Sequence, residues 1–158
     1  MKRVVRLAIL MVGTAMMVTA TAQQPPSAAE RAQFMIDVRQ GVVNILAWNI
    51  GPLVGMAKGQ IPFNADMAKR SGTRMAQAAP MLADAFRMDT REFNLETGAL
   101  DKIWDNQDDF KAKAQDLVDA TAAFAAAAAS GDEKTTMKAF GDVGGACKGC
   151  HDEYRAKD

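Results

Sequence analysis

The chain has 158 residues, 49% of them hydrophobic, which supports one domain around one core and gives no sign of a second. Its 19 Lys and Arg balance 19 Asp and Glu, and the basic side chains are scattered among acids, so the basic patch that nucleic-acid binding requires is absent. Two cysteines and a single histidine restrict any metal chemistry to very few soft or imidazole ligands.

Residues 1–22 read as a cleaved export signal. Lys2, Arg3 and Arg6 form a basic start, residues 7–18 are apolar, and Ala20-Thr21-Ala22 has the small-x-small form of a cleavage site. The apolar run is shorter than the roughly 20 residues a spanning helix needs, so no membrane anchor is expected after cleavage. The mature domain, residues 23–158, would carry 16 basic against 19 acidic residues, a formal charge of −3, and would work in the periplasm.

Ser27-Ala28-Ala29-Glu30 has the form of a capping box, which predicts a first helix over 28–56. Gly51-Pro52 should bend or interrupt it. Gly59 and Pro62 mark a loop, after which Asn64 caps a second helix running to about Phe86, with a kink or early end possible at Pro80. Met67, Met75 and Met81 on that helix read as core filling. Residues 87–100 show no sustained period and read as a long connection.

The third helix has the clearest pattern. Ile103, Phe110, Ala114, Leu117, Thr121, Phe124 and Ala128 recur at three- and four-residue steps, with the alanine run 122–129 allowing close helix packing. Ser130-Gly131-Asp132 ends it, and Asp132 or Ser130 caps a last helix over about 133–156. Four helices in sequence and no strand pattern predict an all-α, antiparallel up-down four-helix bundle.

The chemically informative segment is Cys147-Lys148-Gly149-Cys150-His151, the CxxCH pattern of c-type haem attachment near the C-terminus. Cysteines at i and i+3 share a helix face, so both thiols reach the two vinyl groups of one porphyrin, and His151 follows as the axial iron ligand. A redox CxxC should follow a strand in a βαβ unit, and structural zinc usually takes four protein ligands, so neither fits this chain. A plain disulfide leaves the adjacent histidine unexplained. With His151 the only histidine, bis-histidine ligation is impossible, and the sixth position is a methionine, a weaker ligand or vacant.

Together these features resemble the class II cytochromes c, specifically the cytochrome c′ family. The resemblance rests on Arg39-Gln40, on Lys58-Gly59-Gln60-Ile61-Pro62-Phe63, on Ile103-Trp104, on Ala139-Phe140-Gly141-Asp142-Val143-Gly144 before Cys147, and on Arg155. It implies one covalent haem c per chain, with Arg39 and Gln40 at the haem edge, where the guanidinium pairs with a propionate. It places Glu96 and Thr97 in the connection that lies against the haem, and Arg155 beside the proximal imidazole, four residues after His151 on the same helix face.

Val43 decides the iron's state, because low-spin members of the class carry a ligating methionine there. Helical spacing groups Arg39, Val43, Leu46 and Ile50 on one stripe, which the resemblance sets over the distal face. None of the three apolar side chains has a donor atom. Met35 lies eight residues before Val43, about 12 Å along a helix, and is not expected to reach the same iron. The resemblance thus implies a high-spin, five-coordinate iron in an apolar distal pocket that takes nitric oxide and carbon monoxide and exchanges electrons with redox partner proteins. It also implies a homodimer through the first two helices. No acid-base or nucleophile constellation indicates an enzyme. A low-spin, methionine-ligated electron carrier is one alternative, and a non-haem helical interaction module with an oxidised CxxC is another.

Overall fold

The computed structural model describes residues 24–157, so the predicted export signal lies outside the described residues. The elements are α1 (Ala28–Ala57), α2 (Ala65–Ala78), α3 (Met81–Ala85), a 3-10 turn (Arg91–Phe93), α4 (Lys102–Asp105), α5 (Gln107–Ala129) and α6 (Glu133–Tyr154). Four rods result: α1, α2 continued by α3, α5 preceded by α4, and α6. They pack in sequence, α2 on α1, α5 on α2 and α6 on α5, as the expected up-down four-helix bundle.

Local chemistry sets the ends of the rods. Ser27 and Glu30 form the reciprocal capping box of α1. Asn64 Oδ1 accepts from Met67 N at 2.9 Å to start α2, and Asp132 Oδ1 accepts from Thr135 N at 2.8 Å to start α6. Gly59 and Gly131 follow the helices before them at φ +66° and +75°, a region closed to most side chains.

Prolines act differently in the two places the sequence singles out. α1 runs through Pro52 without a break, because the flanking Leu53 and Met56 are anchored in the core. Pro80 does separate α2 from α3, having no N–H to continue the ladder. The third predicted helix is likewise divided at Asn106, where α4 gives way to α5.

The main core gathers Leu53, Met75, Phe124 and Val143 from all four rods, each with essentially no exposure. Val42, Leu46 and Met56 join Leu53 as α1's contribution. Gly72 lets α2 close on α5, since a Cβ there would stand 3.0 Å from Ala125 Cα and 3.3 Å from the Phe124 ring. Met75 is buried and Met67 packs against the core, but Met81 is exposed, so the reading of Met81 as core filling is corrected. Its position in the first turn of α3, right after the Pro80 break, turns it to solvent.

A second, smaller core sits at one end of the bundle. Ile103, Phe110 and Tyr154 form it, with Phe86, Trp104, Ala99 and Cys150 packed against it. Ring centroids lie 4.9 Å apart for Phe86–Phe110 and 5.4 Å for Phe110–Tyr154, the latter edge to face. Tyr154 Oη donates to Asp109 Oδ2 at 2.6 Å, joining α6 to α5. Burial, reinforced by that carboxylate, pushes the phenol's pKa up to about 12.

Candidate haem-binding cavity

A cavity of about 510 Å³ opens against this smaller core, within the size range of cofactor sites. One wall is α1, through Ile36, Arg39, Gln40, Val43 and Asn44. The facing wall is the end of α6, through Cys150, His151 and Tyr154. Leu82 and Phe86 from α3 and its end, with Ile103 and Phe110, make the floor.

The CxxCH segment lies wholly within α6. Cys150 and His151 line the cavity, whereas Cys147 is half-buried against the edge of the main core, one turn back. Both thiols are free, and burial raises the pKa of each, Lys113 opposing the rise at Cys150. Burial and the positive charge of Arg155 lower the pKa of His151, against Asp152. That favours the neutral imidazole, the form that ligates a metal.

The connection before α4 closes the mouth. Ala99 and Arg155 form an isolated antiparallel bridge, with Leu100 N donating to Tyr154 O at 3.0 Å and Ala156 N to Gly98 O at 2.9 Å. Thr97, Gly98 and Ala99 thereby become cavity wall. Arg155 caps α6 and lines the cavity with His151: its N–H still donates to His151 O at 3.2 Å, one turn back, and its charge acts on the imidazole. At φ −108° and ψ 136° it is the point where the chain leaves the helix to pair with the connection.

Seven of the nine predicted site residues line the cavity: Arg39, Gln40, Val43, Thr97, Cys150, His151 and Arg155. Glu96 is exposed beside Thr97 and outside the lining, and Cys147 stands behind it. The stripe over the distal face needs correction. Leu46 is in the main core and Ile50 packs against it, so only Arg39 and Val43 of that stripe reach the cavity. Leu46 lies three residues after Val43, a rotation of about 60° away from the cavity wall. Asn44 takes a lining place instead, one turn after Gln40; the i, i+4 step from Gln40 was the signal for it.

Arg39 is nearly fully buried and carries the strongest electrostatic feature of the site. Its Nε donates to Ala85 O at 2.9 Å, Nη1 to Thr90 Oγ1 at 2.9 Å and Nη2 to Met88 O at 2.5 Å. The guanidinium lies between Phe86 and Trp104, 4.9 and 5.1 Å from their ring centroids. No carboxylate pairs directly with it among the described residues, and burial lowers its pKa, with Asp89 opposing.

These residues fit a covalently attached haem. Cys150 and His151 of α6 meet an apolar, aromatic cavity with Cys147 one turn behind them, and a buried cation at its rim has no carboxylate in direct contact among the described residues. Among the described residues no methionine lines the cavity.

Comparison with known proteins agrees with the geometry. Residues 35–155 match the family model described as Cytochrome C′. The cytochrome c′ of Cereibacter sphaeroides is 34% identical over 145 residues, covering 90% of this chain and 97% of that protein. Among solved structures, cytochrome c prime from Shewanella frigidimarina superposes with a TM-score of 0.75 at 32% identity, over 80% of this chain and 97% of that one. A nitric oxide complex of a cytochrome c prime mutant from Alcaligenes xylosoxidans matches with a TM-score of 0.71 at 32% identity, over 80% and 97% of the two chains.

Proposed function

Since this chain belongs to the cytochrome c′ family of haem c proteins, we propose that it is a periplasmic, high-spin haem protein whose iron is five-coordinate. Cys147 and Cys150 hold the haem as thioethers and His151 supplies the single axial ligand. The observation that carries this reading is the composition of the α1 wall: Val43 lines the cavity, and among the described residues no methionine does. The haem supplies a redox-active iron with an open position for a small uncharged diatomic.

The protein's own residues prepare that position. Val43, Ile36 and Leu82 keep it largely apolar, which favours nitric oxide or carbon monoxide over charged ligands. The nitric oxide complex known for the Alcaligenes xylosoxidans relative supports the same ligand class here. Electron exchange with partner proteins is the companion role, and enzymatic turnover is not part of the reading.

Export rests on residues 1–22, with the mature chain starting at Gln23. No helix among the described residues is long and apolar enough to cross a membrane. A homodimer through α1 and α2 is supported by Phe34, Ile45 and Trp48, which recur along one exposed face of α1, the last stacked under Arg74 of α2 at 5.2 Å.

The test is the visible spectrum of the purified ferrous holoprotein before and after carbon monoxide. A broad high-spin spectrum that shifts with the gas is expected. Sharp low-spin bands indifferent to it would establish a sixth protein ligand and overturn the five-coordinate reading.

A further inference from the structure

Trp104 carries the one buried side-chain polar atom without a hydrogen-bond partner among the described residues, its indole Nε1. A buried donor left unpaired loses its hydration without compensation, so such an atom calls for an acceptor. Its surroundings specify the acceptor's charge. The Arg39 guanidinium stands 5.1 Å and the Arg91 guanidinium 5.8 Å from the indole ring.

The two arginines differ in how their charge is met. Arg91 is bound to the carboxylates of Asp89 and Asp105, at 2.6 and 2.7 Å. Among the described residues Arg39 hydrogen-bonds only neutral groups, two backbone carbonyls and a hydroxyl, which occupy three of its five N–H groups. One N–H on Nη1 and one on Nη2 remain. An unpaired donor thus lies beside a buried cation that has two donors left and, among the described residues, no carboxylate in direct contact, Asp89 acting on it only through space.

Trp104 is next to the cavity. Its ring packs on the cluster of Ile103, Phe110 and Tyr154, all of which line it, and stands 6.5 Å from Phe86, which also does. The chemical class that satisfies both the indole N–H and the free side of a guanidinium is a carboxylate.

We propose that Trp104 Nε1–H and the two remaining N–H groups of Arg39 form one seat for a carboxylate, and that its occupant is a propionate of the bound haem. The inference rests on the haem reading above and adds Trp104 to it as a binding residue. Trp104 orients the group while Arg39 supplies the charge, and the seat fixes which edge of the macrocycle turns towards α4. A free carboxylate would satisfy the same donors, so the test must read the propionate itself.

Resonance Raman spectra of the ferric holoprotein follow the propionate bending band, and ultraviolet resonance Raman follows the indole N–H band. Trp104→Phe keeps the ring and removes the donor, and Trp48→Phe, at an exposed ring, is the control. The expected result is a downward shift of the propionate band in Trp104→Phe alone, with a hydrogen-bonded indole signature in Trp48→Phe, where Trp104 is the only tryptophan. An unshifted propionate band, or a free indole N–H, overturns the proposal.

Where Trp104→Phe does not fold, the propionate band is read in Trp48→Phe protein whose Trp104 is replaced by benzothienylalanine, which has the indole's shape without its N–H, and is compared with Trp48→Phe itself. A pyridine haemochrome of each sample separates the two readings. Attached haem with an unmoved propionate band defeats the seat and leaves the haem assignment standing, whereas wild-type protein without attached haem defeats both.

Discussion

Arg39 on α1 donates to Thr90 Oγ1 at 2.9 Å across 51 residues of sequence, and both side chains are buried. With the bonds to Ala85 O and Met88 O, one side chain ties α1 to the end of α3 and to the connection after it. The aromatic floor of the cavity is thus held from the same residue that brings positive charge to its rim.

Replacing Arg39 by lysine should therefore destabilise the protein well beyond a surface change. An ammonium cannot reproduce three divergent N–H bonds, and stranded acceptors at a buried site cost roughly 2–3 kcal/mol together. Urea unfolding of the holoprotein checks this, and a loss no larger than that of Arg91→Lys would contradict the tie.

Gly72→Ala tests the α2–α5 contact. Its Cβ would meet backbone at 3.0 Å and the Phe124 ring at 3.3 Å, and Phe124 is fully buried with neighbours on every side. Overpacking of this kind costs about 1–3 kcal/mol, against the small gain alanine brings to a helix. A rise in midpoint denaturant concentration would mean that the two helices separate easily.

Val43→Met places a thioether on the cavity wall that faces His151. The ferrous spectrum should turn from broad high-spin to sharp low-spin, and carbon monoxide binding should weaken. Val43→Leu should only slow carbon monoxide binding by crowding the approach, as stopped-flow mixing would record. Unchanged spectra and rates in both variants would remove Val43 from the iron's surroundings.

The covalent link is tested by Cys147→Ser with Cys150→Ser. Without either thiol no thioether forms, and acidified butanone should extract the haem that remains in the wild type. Retention of haem by the double variant would require another attachment point, which the chain's cysteine content does not offer.

Asn64→Ala removes the acceptor for Met67 N and should cost about 1 kcal/mol, the usual worth of such a cap. A lowered thermal midpoint with an unchanged absorption spectrum is the expected outcome, because Asn64 is not among the residues that line the cavity.

The four rods, their caps and the haem motif were legible in the sequence because each is a local statement. Ser27 with Glu30, Asn64 and Asp132 act within three residues of themselves, and the reach from Cys147 to His151 is one helical turn. Side-chain period likewise fixed which face of α5 is buried, from Phe110 through Ala128. What lay beyond it were choices between neighbours on α1. Val42 and Val43 are the same residue type one position apart, yet Val42 enters the core and Val43 the cavity, a difference of about 100° on the helix that only the placement of α2, α5 and α6 decides. The same holds for Arg155, whose backbone leaves the helix because Gly98 and Leu100 pair with its neighbours, and for Trp104, whose unpaired N–H exists only once Arg39 and Phe86 have closed around it. Local periodicity settles which helices form and which chemistry the chain carries; long-range packing settles which side chains that chemistry meets.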